Sequence, residues 1–122
     1  MNTLKIAIQK SGRLHDESIQ ILKDCGISVY NGNDQLKVTA SNFPLEVYYL
    51  RNSDIPQYLI DCVVDTAIVG DNLLVEKGQN IQIAEKLGFS KCKVSVAVPK
   101  NFNYNSIQDL NGLRVATSYP KT

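Results

Sequence analysis

Three short stretches carry residue types that can handle a charged ligand. The first is Gln9-Lys10-Ser11-Gly12-Arg13-Leu14, where Gly12 allows close backbone approach and Lys10 and Arg13 supply positive charge. If a helix starts here, its free N–H groups join those two cations, and the combination suits a phosphate or pyrophosphate. The competing reading is a surface turn with two solvated basic residues, because the stretch is neither a Walker motif nor Gly-x-Gly-x-x-Gly. The second is Leu50-Arg51-Asn52-Ser53-Asp54-Ile55-Pro56, in which Arg51 can grip a phosphate or stack on a base and Asp54 can orient it. A capped helix start with an incidental Arg–Asp pair, worth about 0–1 kcal/mol, is the stronger reading on local pattern. The third is Ile68-Val69-Gly70-Asp71-Asn72, whose polar pair Asp71 and Asn72 after Gly70 can receive hydroxyls or base edges, or can be an ordinary turn with an Asp cap.

Other catalytic chemistries find little support. His15 is the only histidine, and its place near a helix start reads as an exposed first-turn residue rather than a catalytic base. Cys25, Cys62 and Cys92 are far apart, with no Cys-x-x-Cys pair, and sit beside apolar or small neighbours, so they read as buried reduced thiols. No Cys–His pair, Ser–His–Asp set or metal-ligand cluster can be assembled, so no protein-bound metal is expected and a reaction without a protein nucleophile fits better.

The three stretches need elements to position them, and the apolar pattern supplies these. Leu4–Gln9 is a compact strand-like run. Leu14, Ser18, Ile21, Leu22 and Cys25 share one face of a helix from about Leu14 to Cys25, with Asp16 and Glu17 in its first turn and Gly26 as a left-handed C-terminal cap. Residues 35–39 and 45–50 read as strands. Ser53 or Asp54 can cap a helix with Pro56 in its first turn and Ile55, Leu59 and Cys62 facing inward. Residues 66–69 form a buried strand, and a short helix after Gly70 ends at Gly78. Further strands are expected at 81–87, 93–98 and 114–117, with a capping box at Ser106-Ile107-Gln108-Asp109. Strands alternating with helices at this spacing predict an α/β fold with an open, mostly parallel sheet. In such sheets ligands bind beyond the carboxyl ends of the strands, where all three stretches fall. A domain junction falls near residues 92–105, and the part beyond it, one turn of helix and one strand, is too little for a core of its own, so that end reads as cut.

Composition narrows the partners. The 122 residues are 43% hydrophobic and 20% charged, and thirteen basic against twelve acidic residues leave +1. That balance describes a globular domain and gives no electrostatic case for nucleic acid or an anionic membrane surface. No stretch approaches the roughly 20 apolar residues of a membrane span, and the N-terminus lacks signal-peptide architecture. A cytoplasmic location is the expectation.

Taken together, five segments resemble the ATP phosphoribosyltransferase family. They are residues 6–14 (IAIQKSGRL), 51–56 (RNSDIP), 64–70 (VDTAIVG), 87–92 (LGFSKC) and 113–120 (LRVATSYP), in the family's order and spacing. The resemblance implies a lobe like that of type II periplasmic binding proteins in residues 1–92, with 93–122 as the crossover and start of a second lobe. It implies attack of adenine N1 of ATP on C1′ of phosphoribosyl pyrophosphate, with release of pyrophosphate and with Mg2+ carried by the substrates, at the first step of histidine biosynthesis. Lys10 and Arg13 would act on phosphate or pyrophosphate, and Gly12, Arg51, Asp54, Gly70, Asp71 and Asn72 would bind substrate. The Gln-Lys-Ser-Gly-Arg-Leu and Thr-Ser-Tyr-Pro spellings are similar to the long form, which is a hexamer. Two departures stand out: Thr66-Ala67 replaces the usual Leu-Gly after Asp65, and the late Gly-Ala-Thr-like phosphoribosyl loop and the histidine-binding regulatory domain are absent. The alternative, from another class, is a non-catalytic ligand-binding lobe of a solute-binding or regulatory protein of the same fold.

Overall fold

Ala7 and Ile8 are both fully shielded from solvent, although neighbours in a strand point to opposite faces. Their strand therefore lies inside a sheet covered on both sides. The computed structural model describes residues 2–30, 35–78 and 80–121. Its elements are β1 (Leu4–Gln9), α1 (Arg13–Asp24), β2 (Lys37–Thr39), β3 (Leu45–Leu50), α2 (Ile55–Ile60), β4 (Thr66–Ala67) and α3 (Asp71–Lys77). Single 3₁₀ turns at Asn52–Asp54 and Ile107–Leu110 complete the regular structure.

The sheet order is β2-β3-β1-β4. β1 runs parallel to both neighbours, in register Gln9 with Leu50 and Ala7 with Ala67. β2 is antiparallel to β3, so the sheet is open and mostly parallel as expected. On one face Ile6, Ile8, Leu45, Val47 and Tyr49 pack with Leu22 of α1. On the other, Ala7 and Leu50 pack with Ile55 of α2 and Val64.

Local chemistry explains the element ends. Gly26, at φ +77, closes α1: its N–H donates to Lys23 O at 2.9 Å and that of Ile27 to Leu22 O at 2.9 Å. This is the Schellman pairing that satisfies the last carbonyls of a helix. Asp54 precedes α2 with no side-chain cap, so neither Ser53 nor Asp54 caps it, while Pro56 sits in the first turn as expected. Around the final 3₁₀ turn the Asp109 carboxylate accepts the N–H groups of Asn105 at 2.7 Å and Ser106 at 3.0 Å, the acidic half of the capping box.

Five expectations need correction. The buried residues of α1 are His15, Ser18 and Leu22: Ser18 and Leu22 lie on the predicted face with Leu14 and Ile21 half-buried beside them, while His15 joins that face and Cys25 is exposed. His15 is therefore buried, not an exposed first-turn residue. Cys62 lies beyond α2 at φ +58, and all three thiols, Cys25, Cys62 and Cys92, are free and exposed rather than buried. Residues 81–87, 93–98 and 114–117 form no strand among the described residues, because no neighbouring strand pairs with any of them. β2 and β4 are also shorter than predicted, although the Ile68 N–H still donates to Ala7 O at 3.0 Å and carries the β4 pairing one residue further.

No helix among the described residues is long and apolar enough to cross a membrane.

Candidate functional site

Parallel pairing brings the ends of β1, β3 and β4 to one edge of the sheet, so the three turns begin side by side. The Lys10 N–H donates to Leu50 O at 2.9 Å, tying the start of the first turn to the end of β3. Two residues on, Gly12 holds φ +91, ψ −172. That region is essentially open to glycine alone. An added Cβ would lie 3.6 Å from Gln9 Nε2, an ordinary contact, so backbone geometry rather than space requires the glycine. α1 then starts, with the Asp16 N–H donating to Gly12 O at 3.1 Å. Among the described residues, the N–H groups of Ser11, Gly12 and Arg13 donate to nothing within the protein. They are free donors at the positive end of a twelve-residue helix, the arrangement that receives anions elsewhere.

Arg13 extends from this helix start, its side chain 73% exposed, with Nε 3.5 Å from Glu17 Oε1. Glu17 also accepts the hydroxyl of Ser90. The 88–90 segment, with Gly88 at φ +76 and Ser90 at φ +51, is thereby fastened to α1 beside the first turn.

In the second turn Arg51 and Asp54 are both exposed, and the ion pair considered between them is not formed. The backbone Asp54 N–H donates to Arg51 O at 2.9 Å instead. Between them Asn52 turns inward, and its buried Oδ1 has no hydrogen-bond partner among the described residues. In the third turn Gly70 precedes α3, and the Asn72 Oδ1 accepts the Leu73 N–H at 3.0 Å. A Cβ on Gly70 would stand 2.7 Å from that oxygen, so a larger residue would displace the Asn72 side chain.

A groove of about 1630 Å³ runs beside β4 from Asp65 to Asn72, lined also by Ile21 and Leu22 of α1 and Leu59 and Ile60 of α2; it takes in Gln9, Arg13 and Asn52 and has residues 80–92 as its far wall. Of the residues expected to bind, Arg13, Gly70, Asp71 and Asn72 line it, whereas Lys10, Gly12, Arg51 and Asp54 lie outside the lining. Gln9 and Asn52 line it without having been singled out. Both lie inside the quoted motifs, but an uncharged amide gives no signal of its own in one sequence. A second cavity of about 480 Å³ lies between Asn52, Ser53, α3 and Ser118-Tyr119. There the buried Glu76 carboxylate accepts the Lys121 N–H at 2.7 Å, which folds the last described residues onto α3. Among the described residues no group of three or more His, Cys, Asp or Glu side chains could hold a metal ion.

The comparisons with known proteins agree with one another. The family model described as HisG, ATP phosphoribosyltransferase, matches residues 51–122. Two relatives with the name ATP phosphoribosyltransferase, from Cytophaga hutchinsonii and Parabacteroides distasonis, are 51% and 45% identical over 117 residues, 96% of this chain. The chain spans 41% of the length of each. A chain of the ATP phosphoribosyl transferase (HisG:HisZ) complex from Thermotoga maritima superposes with a TM-score of 0.52 at 29% identity, covering 62% of this chain and 35% of that one. A family match over more than half of the residues, joined to the three turns at one sheet edge, leads to one conclusion: the chain belongs to the ATP phosphoribosyltransferase family.

Proposed function

We propose that the protein carrying this chain transfers phosphoribosyl from phosphoribosyl pyrophosphate to N1 of ATP and releases pyrophosphate, the entry to histidine biosynthesis. The observation that carries the reading is the set of free N–H groups at residues 11–13 at the start of α1, where Arg13 lines the same groove as Asp71 and Asn72. In this reading Lys10, Gly12 and Arg13 receive phosphate or pyrophosphate, and Arg51, Asp54, Gly70, Asp71 and Asn72 meet the nucleotide. Such a site accelerates the reaction by holding two substrates in line and stabilising the charge that develops on the leaving group. Mg2+, which keeps much of its hydration and favours phosphate oxygens, would enter with the substrates and neutralise their charge. Residues 1–92 would form most of one lobe and 93–122 the opening of a second, in a cytoplasmic enzyme that assembles as a hexamer.

A protein spanning the relatives' full length and carrying this chain is expected to form phosphoribosyl-ATP from ATP, phosphoribosyl pyrophosphate and magnesium, read by absorbance. A folded sample that forms none overturns the reading. Residues 1–122 alone should bind nucleotide weakly and transfer nothing, because a cleft enzyme needs contacts from both sides of the reacting carbon.

A further inference from the structure

His15 is the only histidine, and the functional reading above leaves it unused although it is 7% exposed and lies directly behind the first turn. Its Nδ1 stands 2.9 Å from the carbonyl oxygen of Gln9, the last residue of β1. A carbonyl carries no proton, so this contact requires the tautomer or ion with hydrogen on Nδ1. The ring is braced by Tyr49, with centroids 5.6 Å apart and planes inclined at 48°. The turn is thus held at its start by the Lys10 N–H on Leu50 O, at its end by the Asp16 N–H on Gly12 O, and across its base by His15. Between those ties lie the free N–H groups of Ser11, Gly12 and Arg13.

We infer that His15 is a positioning residue for the anion site. Its Nδ1–H fixes the Gln9 carbonyl and so sets the direction of the three free backbone donors that receive phosphate or pyrophosphate. The inference rests on reading this turn as an anion site. A rotation of the Gln9–Lys10 peptide, whose N–H is held by Leu50 O and whose carbonyl is held by His15, would re-aim every donor that follows. The bond to Gln9 also meets the requirement of a buried ring nitrogen for a partner. Helix packing needs a ring of this size here, but it does not need the Nδ1–H.

The test uses the 122-residue chain, its backbone amide resonances and inorganic pyrophosphate as probe. His15→Phe keeps a ring against Tyr49 and loses the donor. It should shift the amide signals of Ser11, Gly12 and Arg13, leave those of Ser53 and Asp54 in place, and weaken pyrophosphate about tenfold. His15→Asn, whose amide nitrogen falls near the position of Nδ1, should restore both, whereas His15→Gln, which reaches to the position of Nε2, should not. Unchanged amide signals in His15→Phe, or equal pyrophosphate affinities in the Asn and Gln variants, would overturn the inference. The Asn–Gln pair decides it alone should the Phe variant not fold. If the wild-type chain takes up no pyrophosphate, the anion reading fails, and the amide signals still decide whether His15 sets the turn.

Discussion

Residues 4–77 and residues 80–121 have similar apolar patterns and opposite fates. In the first region Val47, flanked by half-buried Glu46 and Tyr48, is fully shielded between β1 and β2. In the second, Val94, Val96 and Val98 alternate just as cleanly and are 58%, 60% and 37% exposed. Alternation marks which residues share a face, but it says nothing of what covers that face. β3 acquires its partners from strands within the same 77 residues, while the later runs meet none among the described residues. The first region is therefore packed around its sheet, and the second is tied to it through Glu17–Ser90 and Glu76–Lys121.

The sharpest way to break this contrast is to trim one side chain from each region. Ile8→Ala, at a fully shielded site, should cost about 2–5 kcal/mol in urea denaturation, and Val96→Ala less than about 0.5 kcal/mol. Comparable losses would mean that the later runs are packed after all. The same division should hold for ligand contacts. Arg13→Ala should weaken pyrophosphate by about 1.5–3 kcal/mol in a calorimetric titration, while Arg114→Ala, on the exposed second region, leaves it unchanged.

A smaller effect separates the regions by pH. Burial raises the Tyr49 phenol above its ordinary value of 10.0, and its buried hydroxyl has no partner among the described residues. Because the folded value exceeds the unfolded one, the associated stability is intact below the unfolded value and is lost as pH rises through the folded value. Tyr49→Phe should abolish that alkaline loss and hold or raise stability at neutral pH, by up to about 1 kcal/mol, since it deletes an unsatisfied polar group. In the second region the shift runs the other way. Backbone N–H groups of Asn105 and Ser106 hold the Asp109 carboxyl below its ordinary value. Its local contribution is present above the unfolded value and is lost as pH falls through the folded one. Asp109→Asn should remove this acid dependence from the amide signals of Asn105 and Ser106 and leave the sheet untouched, the least of the four effects.

Much of the lobe was legible because its signals are local. β1 and β3 follow from compact apolar runs, the end of α1 from Gly26, and the start of α2 from Pro56. Ser18 and Leu22 were legible on the inward face of α1, but His15 was not because it looks polar, whereas the Gln9 carbonyl satisfies its ring nitrogen and Tyr49 packs beside it. The cysteines were misjudged for the converse reason. Apolar neighbours in sequence need not be neighbours in space, and Cys25 and Cys62 fall just past helix ends, where the chain turns outward. At the site, charge and glycine made Arg13, Gly70 and Asp71 visible, but Gln9 and Asn52 gained importance only when the groove formed around them.

By itself, the sequence determined what depends on neighbours along the chain: the periodicity of β1, β3 and α1, the glycine at φ +91, the Schellman end, the carboxylate that caps the final turn, and the motifs that mark the family. The tertiary structure alone decided what depends on pairing across the chain. Parallel register set the three turns level at one edge, packing turned His15 inward beneath the first of them, and the absence of neighbouring strands among the described residues left 93–98 unpaired and exposed. The physical reason is one of range. Backbone conformation and capping are settled by atoms a few residues apart, whereas burial and strand pairing require a second surface, which a strand's own pattern can request but not supply.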